Sequence, residues 1–589
     1  MFLPDTPCFR PRLRSYRLSI RGVGSVTALP LGLMLAAPAL AQNVPSRIVP
    51  PTLDPNRVQD NVARTPEPVP SAPLAVQASP QQAVPEAAAA TRFVWREVRI
   101  EGATVIPVAR LMREWKHAPG EEVSVEDVFR FANALTRLYA KKGYAISFGV
   151  VPEQQIKDGI ITIRVVEGFV SRIDFTGAKL PSGLLGRGPV ADIAERIRQS
   201  RPLRNADLER YLLLINDVPG VTARATLSPA PDLVGGSILT IEIARKRRSM
   251  DVGYNSFMPR TLGTHVVGGT VEANALLTGG DRLRLGAYQS ITGNAYWNLS
   301  GDYVSILDQD GLSLAVSGSH SHTRPTTPLL RLLGYQGSAT TGRVSLSYPF
   351  IRSRTENLAV EVGAAIANTD SELLRRAEMR DRLRSVVTTL TYDVTDAHLA
   401  ASSLRLGLEQ GLKKLDARGN SRANGRLDYL LLTMEVQRLQ PIARVAGGQV
   451  STLIAAQGQA AAKGPLYSSA ECSYGGRRFG RRFDAGALVG DHCLLSSVEL
   501  RWSTPANIGD VPVGLQTYGF VDAAQVWQKG RLLPGERRSA TAATAGLGLR
   551  LSLTDHISGG IEASRIVKAP RGSPIERGGR LLGSMSFRF

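Results

Sequence analysis

Two adjacent arginines, Arg481 and Arg482, lie in the glycine-rich stretch FGRRFDAG at residues 479–486. A guanidinium presents a planar fork of donors that a carboxylate accepts bidentately, so the chemistry on offer is recognition of a negative charge. A solvated loop would use arginines equally well, and nothing local chooses between the two. Cys472 and Cys493 bracket the stretch, and two thiols can bridge where the compartment is oxidising. The seven histidines are scattered without metal-ligand spacing. No nucleophile elbow, phosphate-binding glycine loop or paired-carboxylate motif occurs, so an enzyme reading has no constellation to rest on and no cofactor or metal is expected.

The compartment follows from the start of the chain. Arg10, Arg12, Arg14, Arg17 and Arg21 make a basic leader. An apolar run from Val23 to Pro38 and an Ala39-Leu40-Ala41 site before Gln42 complete a secretory signal peptide over residues 1–41. A retained anchor is the alternative, for which the apolar run is short. Cleavage would remove five arginines, Asp5 and Cys8, so the net charge of +20 becomes about +16. In an exported chain, lipopolysaccharide phosphates are a nearer anionic partner than nucleic acid, and no nucleic-acid partner is expected.

Four regions must position the arginines. Residues 42–92 have linker composition, with ten prolines from 43 to 92; only residues 56–65 offer a short helix. Residues 93–168 read β-α-α-β-β. In SVEDVFRFANALTRLYAKKGY, Ser124 can cap a helix with Asp127 at the third position, and Gly143 ends it. Residues 169–246 repeat that plan, which suggests a duplicated α+β module. From 247 to 589 helical periodicity nearly vanishes. About sixteen alternating segments follow, with short turns (LLTGGD, ILDQDG, TDAHL) alternating with long ones (323–337, 369–384, 413–426 and above all 461–494). Short turns on one side and long loops on the other mark an outer-membrane β-barrel of about 16 antiparallel strands, a pattern that a soluble sandwich has no need to keep. The closing RLLGSMSFRF puts Leu581, Gly583, Met585, Phe587 and Phe589 on one face, against Leu582, Ser584, Ser586 and Arg588 on the other. The terminal Phe587 and Phe589 fit the signal read by barrel-assembly machinery.

Residues 93–589 resemble the TpsB transporters of two-partner secretion, the haemolysin and haemagglutinin exporters of the Omp85 superfamily. The first module carries Gly143, Tyr144, Pro152, Gln155, Asp158, Gly159, Glu167 and Gly168 where the family's first POTRA domain has them. In the second, PLRNADLERYLLLINDVPGV is similar to the corresponding POTRA segment. GGRRFGRRFDAGALVGDHCLLSSVELRW resembles the family's signature, in the long loop after the eleventh strand. The resemblance implies that this loop folds into the barrel and that Arg481, followed by Phe483, meets Asp522 of the Phe520-x-Asp522 strand motif on the lumen wall. Arg482 stands where the family has glycine, a departure at the loop tip. A charged Asp522 on a membrane strand is itself tolerated only toward the lumen. An Arg481 left in solvent is the alternative. A bridge between Cys472 and Cys493 would close this loop at its base; free thiols are the alternative.

The resemblance also implies a function. The two periplasmic modules would capture an unfolded TpsA-type exoprotein, haemolysin- or haemagglutinin-like, and the barrel would pass it to the cell surface. Outer-membrane lipid and lipopolysaccharide, and the assembly machinery during biogenesis, are the other expected partners. An Omp85-type assembly or translocation factor is the second reading, and a passive porin the third.

Overall fold

The computed structural model describes residues 51–59, 67–71, 81–374, 376–422, 424–509, 511–532, 537–570 and 578–589. The expected leader lies outside them, as do residues 60–65 of the candidate helix. Sixteen antiparallel strands close into a barrel, from Arg248–Asn255 to Arg580–Arg588, each paired with its sequence neighbour and the last with the first. Closure leaves no unpaired edge in the hydrocarbon, where an unsatisfied peptide group would be costly. Side chains sort by face as the alternation requires. On the closing strand Leu581, Met585 and Phe589 are exposed to the outside, while Leu582, Ser584 and Ser586 line the interior.

The first strand starts directly after the second module, so that rim is periplasmic and the short turns lie there. The outer rim departs from expectation at residues 369–384. Instead of a long loop, strands Glu356–Leu373 and Arg376–Thr395 stay paired almost to their tip. At 18 and 20 residues they far exceed the roughly 9–11 that span a bilayer. They therefore project outward as a ribbon. The 323–337 loop carries a short helix, Pro328–Leu332. The long loop runs from 462 to 491, between strands Gly448–Ala461 and His492–Ile508.

In the first module, Glu97–Glu101 pairs in parallel with Ile160–Val166, which pairs antiparallel with Phe148–Val150. Helix Val125–Lys141 lies across this sheet, started by the Ser124–Asp127 capping box. FVWREVRIEG is interrupted at Trp95 and Arg96, so its first part, Arg92–Val94, pairs instead with Glu122–Ser124. The second module orders Phe169–Gly177, Gly236–Arg245 and Val221–Pro229 in one sheet beneath two helices, Val190–Gln199 and Asn205–Asp217.

Of the first module's motif residues, Gly159 and Glu167 make close structural contacts. Gly159 has φ +72°, and a Cβ there would meet Val94 O at 2.4 Å. Gln155 is exposed; its neighbour Gln154 makes the reciprocal bonds to the Thr162 backbone, both 2.8 Å. Glu167 accepts from Thr104 N (2.7 Å), Val105 N (3.0 Å) and Tyr139 Oη (2.8 Å). Burial raises the Glu167 pKa, but the Thr104 and Val105 hydrogen bonds outweigh it and hold the carboxyl below its usual range. Its stabilisation is therefore present at neutral pH and lost as pH falls through the folded value. In Glu167→Gln, hydrogen exchange of the Thr104 and Val105 amides is expected to rise about tenfold at pH 7, the equivalent of roughly 1.4 kcal/mol in local opening. The difference from wild type should shrink at acid pH.

Ion pairs and hydrogen bonds fix the second module to the periplasmic turns. Arg196 pairs with Asp310, and Tyr211 Oη donates to the same carboxylate at 3.1 Å. Arg352 grips Asp217 with both nitrogens of its fork, at 2.6 and 2.7 Å.

Candidate functional site in the barrel lumen

The long loop folds back into the barrel and needs unusual backbone to do so. Its hairpin pairs Cys472–Tyr474 with Leu488–Gly490. At the turn beyond it, Gly475 has φ +117°, and a Cβ there would lie 2.0 Å from Asp484 O. No side chain fits that approach. Tyr474, Phe479, Phe483 and Leu488 pack with Leu495, Ala524 and Val526 of the wall, so the tip is seated by apolar contact. Cys472 and Cys493 are joined as a disulfide with Cα atoms 6.4 Å apart, tying the hairpin to the twelfth strand. A non-reduced digest should yield the two cysteines in one linked peptide. Closing a loop of this length contributes about 3 kcal/mol against unfolding; Cys472→Ser should lose that in a denaturant titration.

The guanidinium of Arg481 is 6% exposed and sits among three acids. Nη2 donates to Asp522 Oδ1 (3.3 Å) and Ser497 Oγ (3.1 Å). Nη1 donates to Glu499 Oε2 (2.9 Å) and Glu562 Oε2 (3.2 Å). Its carbon lies 3.7 Å from the Phe520 ring centroid, a cation–π contact. Asp522, with no exposed surface, does more than face the guanidinium. Its Oδ2 accepts from Gly480 N (3.0 Å), Arg481 N (3.2 Å) and Thr544 Oγ1 (3.3 Å). It therefore clasps the backbone of the tip as well as its charge. Arg482 turns the other way, and its Nε donates to Gly578 O at 2.7 Å in the outer loop before the last strand. The loop tip thus accommodates an arginine where the family has glycine, because the extra side chain leaves the node. Phe483 is buried 5.7 Å from Tyr474.

Glu499 and Glu562 were missed by sequence reasoning. Glu499 also accepts from Arg501 Nε (2.7 Å) and Arg550 Nη1 (2.6 Å), and Tyr518 Oη donates to Glu562 at 2.9 Å. Both glutamates occupy mid-strand positions of a lipid-embedded sheet, where a charge must point inward; that signal was available.

The proline-rich segment, read as a linker with a possible short plug helix at 56–65, also contributes. A 3-10 turn, Pro51–Leu53, and a helix, Pro55–Gln59, lie inside the outer half of the barrel with Leu53 and Val58 buried. Both begin on proline, at positions where a missing N–H and a fixed φ cost nothing. Thr323 Oγ1 donates to Leu53 O at 3.0 Å, and Arg57 Nη2 meets Glu471 Oε2 at 3.5 Å. Farther down, Glu67 is held by both terminal nitrogens of Arg501, at 2.6 and 3.0 Å. Ser71 N reaches Thr395 Oγ1 at the periplasmic rim (3.3 Å). Residues 51–59 and 67–71 thus lie at successive depths of the lumen, as the two described parts of a strap. Below the node a cavity of about 1360 Å³ remains, with Glu67, Arg481, Arg501 and Arg550 among its lining. Among the described residues, no group of three or more His, Cys, Asp or Glu could hold a metal ion.

A family model described as "POTRA domain, ShlB-type" matches residues 93–168, and one described as "Haemolysin secretion/activation protein ShlB/FhaC/HecB" matches residues 235–551. The heme/hemopexin transporter protein HuxB of Haemophilus influenzae (strain 86-028NP) is 26% identical over 365 residues, 61% of this chain and 62% of that relative. The outer membrane transporter CdiB of Escherichia coli is 25% identical over 211 residues, 35% of this chain and 33% of that one. Among solved structures, CdiB from Escherichia coli superposes with a TM-score of 0.69 at 19% identity, covering 91% of this chain and 96% of that one. CdiB from Acinetobacter baumannii gives 0.59 at 18% identity with the same coverage. These superpositions speak to a shared fold.

Proposed function

The chain belongs to the ShlB/FhaC/HecB family of haemolysin secretion/activation proteins, the TpsB branch of the Omp85 superfamily, and from that premise we propose that it exports a partner exoprotein through its barrel. The barrel sits in the outer membrane of a Gram-negative cell, with the POTRA modules in the periplasm. The two modules, residues 93–168 and 169–246, receive the partner unfolded. Among the described residues, strand Val221–Pro229 is paired on one side only, and it offers its other edge to an extended chain. The partner threads the lumen and folds outside, and that folding supplies the drive where nucleotide energy is absent. The export partner is a TpsA-type protein. Outer-membrane lipid, lipopolysaccharide and the assembly machinery are the remaining partners, and the chain has no catalytic activity.

The observation that carries this reading is that two separate segments fill the lumen and are held differently. The long loop is bonded to the wall by a disulfide, an apolar cluster and a three-acid clasp. The strap is held by ion pairs and hydrogen bonds around two buried apolar side chains, with no covalent tie of its own. The loop therefore serves as a strut, and the strap is the part that leaves. A pore that only leaked small solutes would have no use for two modules bonded beneath it.

Co-expression tests export. The wild-type transporter should release a neighbouring-gene exoprotein carrying a repeat-rich, β-prone body into the medium. Retention of that partner in the periplasm, with the barrel correctly inserted, would contradict the proposal. Removing residues 93–168 should abolish partner pull-down from periplasmic extracts. Secretion lost together with the assembly of unrelated outer-membrane proteins would favour the assembly-factor reading.

A further inference from the structure

A small hairpin in the second module is unexplained by export. Ser182 pairs with Arg187 and Gly183 with Gly186, so Leu184 and Leu185 form a two-residue tip. Such tips are built from Gly, Asn and Asp because the backbone there must turn sharply. Leucines at this place are 81% and 78% exposed. Two adjacent large apolar side chains on a turn tip call for a partner.

The hairpin's position says what covers it. Leu184 N donates to Leu276 O (3.2 Å) and Leu185 N to Leu277 O (2.7 Å), in the periplasmic turn after the second barrel strand. Glycines permit this contact: a Cβ on Gly183 would lie 2.5 Å from Leu277 C, and one on Gly279 would lie 2.2 Å from Gly188 N. The amides of Leu276, Leu277 and Thr278 all donate to the carboxylate of Asp281, which also accepts from Tyr303 Oη at 3.0 Å. By register Asp281 and Tyr303 share a face with Leu283 and Leu285. That is the outward face, on which Leu285 and Leu299 are exposed, while Arg284, Tyr288 and Ser300 of the opposite face line the lumen. The turn therefore folds onto the lipid side of the barrel, and the hairpin is bonded to the turn. Leu276 and Leu277 are themselves exposed beside the tip, and Arg187 and Lys179 stand exposed behind it.

We propose that this hairpin is a membrane-contact element: Leu184 and Leu185 insert into the periplasmic leaflet of the outer membrane, continuous with the barrel's own apolar belt, while Arg187 and Lys179 meet phospholipid phosphates. A short apolar tip with cations behind it matches the depth profile of a leaflet interface. The leaflet then holds the second module in one orientation beneath the pore, in addition to its ion pairs with the turns. This inference requires only that the barrel be embedded; it stands or falls separately from export.

Full-length protein with Cys8→Ser and either Leu184→Cys or Val234→Cys provides the test, because Cys472 and Cys493 are bonded to each other. Val234 is equally exposed (80%), at the end of the module away from the barrel. An environment-sensitive fluorophore is attached and the protein placed in phosphatidylethanolamine–phosphatidylglycerol nanodiscs. Nitroxides on the lipid acyl chains should quench the label at 184 about three times more strongly than the label at 234, and aqueous iodide should do the reverse. Equal quenching at both positions would overturn the proposal. Protection at 184 that arises only when an exoprotein fragment is added would also overturn it, by assigning the tip to the passenger.

Discussion

Replacing Arg481 with methionine is expected to stop export of a co-expressed partner while the protein still reaches the outer membrane. The guanidinium is the shared cation of Asp522, Glu499 and Glu562, all of them buried. Methionine fills much of the same space and removes the charge. Glu499 keeps Arg501 and Arg550, but Asp522 keeps only the amides of Gly480 and Arg481 and the hydroxyl of Thr544. Stranding one side of a buried ion pair costs about 3–5 kcal/mol. The sixteen-strand ladder does not pass through the loop, so that cost falls on the loop's seat and not on the wall. Arg481→Lys should recover little, since one ammonium cannot span Asp522 and Ser497 on one side and Glu499 and Glu562 on the other. Asp522→Asn should be milder than Asp522→Ala, because one acceptor oxygen remains for the Gly480 and Arg481 amides. Secretion is read by immunoblot of the medium, and insertion by the shift in gel mobility on boiling. Undiminished secretion by Arg481→Met would remove the node from the mechanism.

The contrast between Asp522 and Glu499 indicates what the sequence could convey. Sixteen strands were legible because lipid on one side and a polar lumen on the other enforce a period of two, as in RLLGSMSFRF. The two modules were legible through capping and helical spacing, with Ser124 and Asp127 the clearest case. Strand ends were not. Past the bilayer surface nothing enforces alternation, so residues 369–384 read as a loop although their backbones stay paired. Asp522 stood out through a family motif. Glu499 lies inside the same signature stretch as Arg481 and Glu562 in ordinary strand sequence, and their convergence on one guanidinium depends on the register of four consecutive strands, a relation between residues dozens of positions apart. The strap was obscured for a different reason. Its prolines left only residues 56–65 as a candidate helix, yet Pro51 and Pro55 open their turns, and the partners that bury Leu53 and Val58 lie 200 or more residues away. The lipid-facing hairpin has a two-residue signal, Leu184-Leu185, that means nothing until Asp281 shows which side of the wall it joins.

Removing residues 51–71 is expected to raise single-channel conductance several-fold without weakening the barrel. The strap's described contacts are made by side chains and single backbone groups: Leu53 and Val58 against Met258, Leu262 and Tyr335, Asn56 on Thr369, Gln59 on Ser319, Arg57 on Glu471, and Glu67 on Arg501. None of them lies in a strand ladder. With the strap gone, the long loop still fills part of the lumen because the disulfide, the apolar cluster and the Asp522 clasp are its own. The strap's part of the lumen becomes continuous with the vestibule below. Two point variants grade the effect. Glu67→Lys sets a lysine against Arg501 at the lower anchor, where like charges repel, and Arg57→Glu faces Glu471 at the upper one. Each should open the pore in brief events, because one anchor and the buried apolar pair remain. If the strap blocks the passenger's route, the deletion should also keep or increase secretion, whereas Arg481→Met abolishes it. That opposite pair of outcomes separates a gate from a strut. Conductance unchanged by the deletion would mean that the long loop alone seals the barrel, and the passenger's path would then have to be created by moving the segment that holds Arg481.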